Sequence, residues 1–366
     1  MSSGRHDQGE QDACLRLSRT ELAERVDRLP RYRLATLPTP LQEMEQLSGA
    51  LGGPRLFVKR DDLTGLAFGG NKVRQMEYFI GDAVAQGANV FIGGGAYAQS
   101  NHARICAAAA RAARLEPVIV VRPATAELGK VGEFGQGNAL LTGLLCDDVR
   151  VAPELEHASR DRLAEVSARR AVFEAVAQEY EARGAKPYVL VGSSIGLGAI
   201  GYVRAAFELQ EQFEREGVDP DFVVVTSLGA TQAGLELAVR LLHLSWRVVG
   251  MAYMPTGATG SQTVARLMGE AAGLLGIGLT TAPQEVVNLD EYAGPAYGVP
   301  SRRSAEITRM VARLEGLLLD PVYTAKGMAG LVGAIERGRF TPEHTVVFLH
   351  TGGHPAIFTY GEDAFG

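Results

Sequence analysis

Short apolar runs typical of buried strands alternate with helical patterns along this chain from Pro38 onward. The strand-like runs lie at 56–59, 89–92, 118–121, 188–191, 222–226, 248–251 and 346–349. Helical periodicity follows at 101–115, 230–243 and 304–314, and a long charged helix is predicted over 156–183. This alternation predicts βαβ units, and therefore an α/β fold with mainly parallel twisted sheets flanked by helices. In such folds ligands bind at the carboxyl ends of the strands.

Composition excludes several classes of partner. A chain of 366 residues can bury a large core and suggests about two domains. The net charge of −6 argues against a nucleic acid or an anionic membrane as a partner. The chain has neither an apolar signal core near Met1 nor an uncharged apolar run of about eighteen residues, so we expect a cytoplasmic protein that acts on small molecules. Its three cysteines lack paired spacing, so we expect neither a disulfide framework nor a metal site.

One lysine occupies a turn suited to chemistry. The turn reads Phe68-Gly69-Gly70-Asn71-Lys72-Val73-Arg74, where a strand-like run gives way to a helical one. The two glycines permit close approach to a ligand, and Asn71 is predicted to cap the helix. The helix dipole and apolar surroundings both lower the pKa of an ammonium there, as an imine with an aldehyde cofactor or a catalytic base requires. The alternative is a solvated lysine at a helix start.

The other four lysines are weaker candidates. Lys59 ends a strand-like run beside Asp61 and Asp62, where ion pairing is expected. Lys130 and Lys186 lie in loop-like surroundings. Lys326 precedes a Gly-Met-Ala-Gly helix start and is the second candidate for lysine chemistry.

A candidate anion site follows the strand-like run at 222–226. The loop reads Ser227-Leu228-Gly229-Ala230-Thr231 and leads into a helix. Backbone N–H groups and the dipole at a helix N-terminus favour a phosphate, and Thr231 adds a hydroxyl. The loop has neither the Walker nor the dinucleotide-binding spacing, and small residues here also serve simple packing.

A second loop of this kind leaves the strand-like run at 89–92. It ends in Gln99-Ser100-Asn101-His102, whose hydroxyl and amides are suited to hold a substrate carboxylate. Ser100 and Asn101 are also ordinary helix caps, and His102 is more often a capping or satisfied histidine than a base.

Late in the chain, hydroxyls and glycines again lie beside apolar runs. The segments are Asp320-Pro321-Val322-Tyr323-Thr324-Ala325-Lys326-Gly327 and His350-Thr351-Gly352-Gly353-His354-Pro355. Tyr297 lies in a turn rich in Gly and Pro, for which a purely structural role is the simpler interpretation.

Taken together, these residues resemble the D-cysteine desulfhydrase and 1-aminocyclopropane-1-carboxylate deaminase family of pyridoxal-phosphate enzymes. The matching stretches follow the family's order from about residue 30 to 360: Pro38-Thr39-Pro40-Leu41, Lys59-Arg60-Asp61-Asp62, Gly69-Gly70-Asn71-Lys72, Gln99-Ser100-Asn101-His102, Gly229-Ala230-Thr231-Gln232-Ala233-Gly234, Tyr297-Gly298-Val299-Pro300, Asp320-Pro321-Val322-Tyr323-Thr324 and His350-Thr351-Gly352-Gly353. The resemblance implies the two-domain, fold type II, tryptophan-synthase-β-like architecture. Residues 1–28 are charged and lack a clear apolar period, so we expect them to form an N-terminal extension outside the core. The resemblance divides the rest of the chain into a large cofactor-binding domain at 29–73 and 186–366 and a small domain at 74–185. It also implies a homodimer.

The resemblance implies a role for each matching residue, with pyridoxal 5'-phosphate as the cofactor. Lys72 becomes the imine lysine, and the catalytic set is Lys72, Ser100, Tyr297 and Tyr323. The cofactor contacts are Asn71, Lys72, Asn101, Ser227, Leu228, Gly229, Ala230, Thr231, Thr324 and Thr351. The substrate contacts are Gln99, Ser100, Asn101, His102, Tyr297 and Tyr323.

Two positions separate the reactions within the family. Ring-opening deaminases carry Glu after the tyrosine of the Pro-Val-Tyr motif and Leu in the His-x-Gly-Gly motif. Here these positions are Thr324 and Thr351, as in the desulfhydrases. A carboxylate beside the pyridine nitrogen stabilises its protonated form, whereas a threonine hydroxyl only hydrogen-bonds a largely neutral ring, which suffices when thiolate leaves.

The resemblance therefore implies β-elimination from a small amino acid, foremost D-cysteine. In the implied reaction the substrate amine displaces Lys72, freed Lys72 removes the Cα proton and the β-substituent departs. Water then hydrolyses the resulting aminoacrylate to pyruvate and ammonia. The cyclopropane deaminase reaction, elimination from another β-substituted alanine such as L-cysteate, and a catalytically silent cofactor binder are the alternatives.

The chain departs from the family pattern at two places. Its serine loop is one residue longer and adds Tyr97, which is expected to narrow or to re-aim the substrate pocket. Ser193-Ser194 replaces the usual Ser-Asn.

Overall fold

The parallel α/β architecture is organised as two sheets. A computed structural model describes residues 16–124, 130, 132–155, 162–190 and 195–365. Within these residues the strands are β1 Leu41–Glu43, β2 Arg55–Lys59, β3 Val90–Gly94, β4 Glu116–Val121, β5 Asp148–Val151, β6 Pro187–Val189, β7 Phe222–Val225, β8 Arg247–Met251, β9 Asn288–Leu289 and β10 Thr345–Leu349. The six-stranded sheet has the order β1-β2-β10-β7-β8-β9, and the four-stranded sheet has the order β5-β4-β3-β6. All pairings are parallel except that of β1 with β2, so the predicted fold class is confirmed.

The seven apolar runs each form a strand, with ends shifted by up to two residues. The strands that the apolar pattern missed are β1, β5 and β9, and all three lie at sheet edges. An edge strand has one neighbour and need not be apolar on both faces, so it lacks the continuous apolar run of a central parallel strand.

Helices cover the faces of both sheets. They are α1 Arg19–Asp27, α2 Glu45–Leu51, α3 Asn71–Ala85, α4 Asn101–Ala112, α5 Gly137–Leu145, α6 Arg162–Glu181, α7 Ile195–Glu216, α8 Ala230–Leu242, α9 Ala258–Leu274, α10 Arg302–Glu315, α11 Thr324–Glu336 and α12 Ile357–Tyr360. The largest buried apolar cluster joins α3, α4, α7 and α8 to strands of both sheets. Among the described residues, no helix is both long enough and apolar enough to span a bilayer.

The predicted division into extension and domains needs two corrections. Residues 1–15 of the extension lie outside the described residues, but α1 is part of the core. Ser18 and Glu21 form a capping box at its start, and Leu22 and Val26 are fully buried. Further, β6 lies just beyond the boundary at residue 186 yet pairs with β3, so this strand belongs to the sheet of the small domain.

A buried charge network fixes α3, the helix that begins beside Lys72. Arg74 donates two hydrogen bonds of 2.8 Å to the carboxylate of Asp61 and bonds of 2.9 and 3.0 Å to Glu208 of α7. The hydroxyl of Tyr202 donates to Asp61 at 2.6 Å. Burial alone would raise the pKa of Asp61, but the charge and hydrogen bonds of Arg74 lower it below its ordinary value. The network therefore holds the first turn of α3 against α7 and the end of β2.

Replacing Arg74 tests this anchoring. Arg74→Met leaves Asp61 as a buried carboxylate without its main counter-ion, so we expect the free energy of unfolding to fall by about 3–5 kcal/mol. Urea denaturation measures the change. Arg302→Met is the control, because Arg302 is 94% exposed in its pair with Glu306 and we expect a change within about 0.5 kcal/mol. Equal losses in the two variants would contradict the proposed role of the network.

Candidate active site

Lys72 lies in the first turn of α3, directly after two glycines in left-handed conformations. Gly69 has φ 63° and Gly70 has φ 116°, and a Cβ on Gly70 would lie 3.0 Å from the carbonyl oxygen of Thr351. Glycine is therefore required for the turn to pack against the end of β10. The predicted cap is wrong: Gly70 occupies the N-cap position, and Asn71 is the first helical residue.

The Lys72 amine is poised for chemistry. Burial lowers the pKa of Lys72 to about 8. Among the described residues, no hydrogen-bond or ion-pair partner contacts its Nζ. A substantial fraction of this amine is therefore neutral near physiological pH and free to react.

His102 of α4 lies within electrostatic range of Lys72. Burial, followed by the charges of Lys72 and Arg169, lowers the pKa of His102 to about 3. The imidazole is therefore neutral at pH 7, and in the described part of the chain its buried Nδ1 has no hydrogen-bond partner. Its position agrees with a ligand contact rather than with a cationic acid.

The predicted anion loop, residues 227–231, lies next to the turn that carries Lys72. Gly229 is the N-cap of α8 and makes no side-chain cap bond, so the first N–H groups of the helix are available to a ligand. Asn71, next to Lys72, donates from Nδ2 to Thr231 Oγ1 at 2.8 Å, and Gln75 donates to the same oxygen at 3.0 Å. The lysine turn and the anion loop, about 160 residues apart in sequence, are thereby joined directly.

In the loop before α4, Gln99 and Ser100 both form hydrogen bonds within the protein. Ser100 caps α4 by accepting from the N–H of Ala103 at 3.3 Å. Gln99, which was predicted to contact substrate, already uses its side-chain amide within the protein. Its amide nitrogen donates to Glu133 O and Gln136 O, and its oxygen accepts from Asn138 N and Thr359 Oγ1. These four bonds use the whole amide, so Gln99 anchors the loop.

A cluster of tyrosines forms one wall near these turns. The ring centroids of Tyr297 and Tyr97 are 5.6 Å apart, and those of Tyr253 and Tyr323 are 4.9 Å apart. The hydroxyls of Tyr297 and Tyr323 share a short hydrogen bond. Burial raises the pKa of both tyrosines, so both are protonated at neutral pH. The additional residue Tyr97 therefore packs directly on a predicted active-site tyrosine.

Tyr253 also belongs to this cluster, although no sequence pattern singled it out as a site residue. It lies two residues beyond the end of β8, at the carboxyl edge of the large sheet, and its ring is 5.9 Å from that of Tyr297. The rule that ligands bind at the carboxyl ends of strands would have selected it.

Lys326, the second candidate lysine, has a structural role. Burial lowers the pKa of Lys326 to about 8, as it does for Lys72. Its Nζ, however, donates to the carbonyl oxygens of Tyr253 at 2.9 Å and Ala296 at 2.8 Å. This lysine holds together the segments that carry Tyr253 and Tyr297.

The two threonines that the family resemblance singles out differ in environment. Thr324 is fully buried, and its hydroxyl donates to Asp320 Oδ1 while accepting from the N–H of Asp320, both at 2.8 Å. One lone pair remains for any further partner. Thr351 is 7% exposed, and within the described part of the chain its hydroxyl has no hydrogen-bond partner. Thr351 is therefore the freer of the two to meet a ligand.

One group of metal-ligating side chains exists within the described ranges, formed by Asp62, His350 and His354. Its atoms are already engaged: Arg60 Nη2 pairs with Asp62 at 2.8 Å, and both histidines contact the carbonyl oxygen of Leu318. A cationic partner and these hydrogen bonds oppose a metal ion there.

These residues fit pyridoxal phosphate. An unpartnered lysine of lowered pKa suits its aldehyde, and the uncapped helix N-terminus beside that lysine suits its phosphate. The sequence model of the pyridoxal-phosphate dependent enzymes matches residues 32–352, and the chain belongs to this family.

The chain is also similar to individual proteins of known sequence or structure. The chain is similar to a D-cysteine desulfhydrase of Salmonella newport, with 37% identity over 338 residues that cover 92% of this chain and 97% of the relative. A crystal structure of an ACC deaminase homologue superposes with a TM-score of 0.80 at 34% identity, covering 95% of this chain and 99% of the other. A fungal L-serine ammonia-lyase from Rhizomucor miehei shares the fold alone, with a TM-score of 0.58 at 20% identity over 87% of this chain and 94% of its own.

The lowered pKa of Lys72 predicts selective labelling. In cofactor-free protein, limiting acetic anhydride should acetylate Lys72 with a half-maximal rate near pH 8, whereas an ordinary lysine reaches it above about pH 10. Mass spectrometry of peptides locates the label. Lys326 is the internal control, because its amine is equally perturbed but fully buried and doubly hydrogen-bonded. Preferential labelling of Lys326, or undiminished labelling of Lys72 after cofactor is restored, would contradict the assignment.

Proposed function

We propose that this enzyme catalyses α,β-elimination from a small amino acid, converting D-cysteine to pyruvate, hydrogen sulfide and ammonia. The observation that carries the cofactor chemistry is the 2.8 Å hydrogen bond between Asn71 and Thr231, which joins the turn of Lys72 to the helix N-terminus that we propose holds the phosphate. The substrate is supported by the similarity to a D-cysteine desulfhydrase over 92% of the chain and by threonine at positions 324 and 351.

Lys72 acts as the base in this proposal. Bound pyridoxal phosphate supplies an electron sink for the negative charge left when the substrate loses its Cα proton. The amine of Lys72, whose pKa of about 8 lies close to the working pH, would be the group that accepts that proton. Neutral His102 adds no positive charge that would oppose protonation of Lys72.

Ser100 and Asn101 hold the substrate carboxylate at the N-terminus of α4, where the helix dipole favours an anion. The Tyr297–Tyr323 pair faces the same region through Tyr97, which packs on Tyr297. Because both phenols are protonated at neutral pH, either is chemically suited to hydrogen-bond the departing sulfur.

A second candidate is the ring-opening deamination of 1-aminocyclopropane-1-carboxylate. It is favoured by the TM-score of 0.80 with an ACC deaminase homologue. Against it, the position that carries Glu in ring-opening relatives is Thr324, which is packed on the buried carboxylate of Asp320. A second carboxylate would meet Asp320 there at close range, so this pocket is built for a hydroxyl.

Elimination from another β-substituted alanine, such as L-cysteate, uses the same residues. The ring of Tyr97 packs on that of Tyr297, and an added ring at this place favours a small β-substituent. The thiol of cysteine fits this constraint better than a sulfonate does.

A panel of four substrates tests the proposed function. Purified holoenzyme should release sulfide and pyruvate from D-cysteine, and Lys72→Ala should lower that turnover by at least about a hundredfold, the usual contribution of a general base. Sulfide, sulfite, pyruvate and 2-oxobutyrate are measured with D-cysteine, L-cysteine, L-cysteate and the cyclopropane amino acid. Lys130→Ala is the control, since Lys130 forms a surface pair with Glu133 and should retain activity. Formation of 2-oxobutyrate alone would select the second candidate, and no product from any substrate would favour a silent binder.

Replacement by valine should affect Thr324 and Thr351 differently. Thr324→Val leaves Asp320 without its hydroxyl partner, so we expect the free energy of unfolding to fall by about 1–3 kcal/mol. Thr351→Val removes a hydroxyl that the described residues leave unpartnered, so we expect unchanged stability but about tenfold lower turnover of D-cysteine, the worth of one hydrogen bond to a ligand. Thermal unfolding and sulfide release measure the two effects. Wild-type turnover in Thr351→Val would remove Thr351 from the site.

We further propose that the enzyme is a homodimer, as the family resemblance implies, and that it is cytoplasmic. Sedimentation equilibrium of the holoenzyme measures the subunit number directly.

A further inference from the structure

Arg104 of α4 is a fully buried cation that has no carboxylate partner among the described residues. Its guanidinium donates to the carbonyl oxygen of Ala67, to Gly69 O at 3.2 Å and to Asn101 Oδ1 at 3.2 Å. The remaining donor, Nε, is buried and has no hydrogen-bond partner in the same part of the chain. Arg74, buried to a similar degree, is by contrast paired with two carboxylates.

This environment leaves a positive charge uncompensated close to Ser100 and Asn101. Burial lowers the pKa of Arg104 to about 10, so the guanidinium stays charged at neutral pH. A buried cation without an acidic partner is unfavourable unless an anion is placed nearby. The α4 N-terminus, one turn away, already favours an anion through its dipole.

The hydrogen bond from Arg104 also decides how the Asn101 amide is oriented. Because Oδ1 of Asn101 accepts from Arg104, the oxygen points toward the guanidinium and the NH₂ group points away from it. Asn101 therefore offers two N–H donors and no acceptor to an occupant of the turn. A carboxylate, which only accepts, matches this donor set.

The same guanidinium touches the lysine turn. Ala67 has a left-handed φ of 44° and Gly69 has φ 63°, and Arg104 donates to the carbonyl oxygens of both. One side chain thus links the segment that delivers Lys72 with the segment that delivers Ser100 and Asn101.

We propose that Arg104 is a positioning residue that makes the Ser100–Asn101 turn specific for the substrate carboxylate. It acts by holding the Asn101 amide with its N–H groups toward the substrate, and it does not touch the substrate itself. This inference rests on the proposed function, because it names the group by which that substrate is held.

Binding of an unreactive substrate analogue tests the inference. D-Alanine carries the amine and carboxylate but no β leaving group, and D-alaninamide lacks the carboxylate. Titration calorimetry on the holoenzyme should show about tenfold or greater loss of D-alanine affinity in Arg104→Met, with D-alaninamide affinity unchanged, as for a lost hydrogen bond to a charged group. Arg104→Lys keeps the charge but lacks the planar fork that orients the Asn101 amide, so it should also lose D-alanine affinity. The proposal would be overturned if Arg104→Met and Arg104→Lys both preferred D-alanine over D-alaninamide as strongly as the wild-type enzyme does.

Arg111→Met is the matched control on the same helix. Arg111 is exposed and pairs with Asp147 at 3.2 Å, so its loss should leave the affinity for both ligands unchanged. Comparable loss of discrimination in this variant would overturn the assignment to Arg104.

A double-mutant cycle distinguishes positioning from general damage to the fold. If Arg104 works through Asn101, then Arg104→Met added to Asn101→Ala should cause no further loss of D-alanine affinity. An additive loss would overturn the proposal. Arg104→Lys replaces Arg104→Met in the cycle if the latter fails to fold.

The outcomes separate this inference from the proposed function. If wild-type enzyme prefers D-alanine to its amide through Arg104 yet releases no sulfide from D-cysteine, the function fails and the carboxylate assignment stands. If D-cysteine is consumed and Arg104 variants keep full discrimination, the assignment fails and the function stands.

Discussion

The buried ion network around Arg74 is the constraint on which the site depends. Arg74 follows Lys72 by two residues, and its guanidinium is held by Asp61 at the end of β2 and by Glu208 of α7. Buried charges are tolerated only when their partners and remaining hydrogen bonds are well placed, and here Thr39 and Tyr202 complete the shell around Asp61. The start of α3 therefore has one position relative to the large sheet, and Lys72 is delivered to the same point as the anion loop.

The buried cations of this enzyme are compensated in different ways. Lys59 and Arg74 face carboxylates, Lys326 faces two backbone carbonyls, and Arg104 faces carbonyls and one amide. Within the described ranges, Lys72 has no such partner. Burial disfavours the charged form of any amine, but hydrogen-bonding partners restrain the amine in place. Lys72 and Lys326 share a pKa of about 8, and only Lys72 keeps its donors free for a ligand.

The sequence predicted the elements of the site better than their individual roles. The lysine turn, the anion loop and the serine loop each lie at the start of a helix, as their glycines and hydroxyls indicated. The sequence did not indicate that the Gln99 amide is engaged within the protein, because its four partners come from residues 133–138 and from Thr359, which no local pattern connects to it. Thr324 was predicted to contact the cofactor, and its hydroxyl already forms two hydrogen bonds with the nearby Asp320. The N-terminal extension was placed outside the core because α1 buries just Leu22 and Val26, too few apolar positions for a clear periodic signal.

By itself, the sequence determined the alternation of strands and helices, the parallel α/β class, the family, and the short list of lysines and helix starts able to hold a cofactor. These properties follow from local periodicity and from glycines whose backbone conformations other residues rarely adopt. The tertiary structure alone decided which polar groups are already satisfied and which are free. Hydrogen-bond satisfaction depends on partners such as Asn71 and Thr231, Arg104 and Ala67, or Lys326 and Tyr253, which are separated by 37 to 160 residues. Such contacts form only when the chain is folded, because close packing brings distant segments within hydrogen-bonding distance.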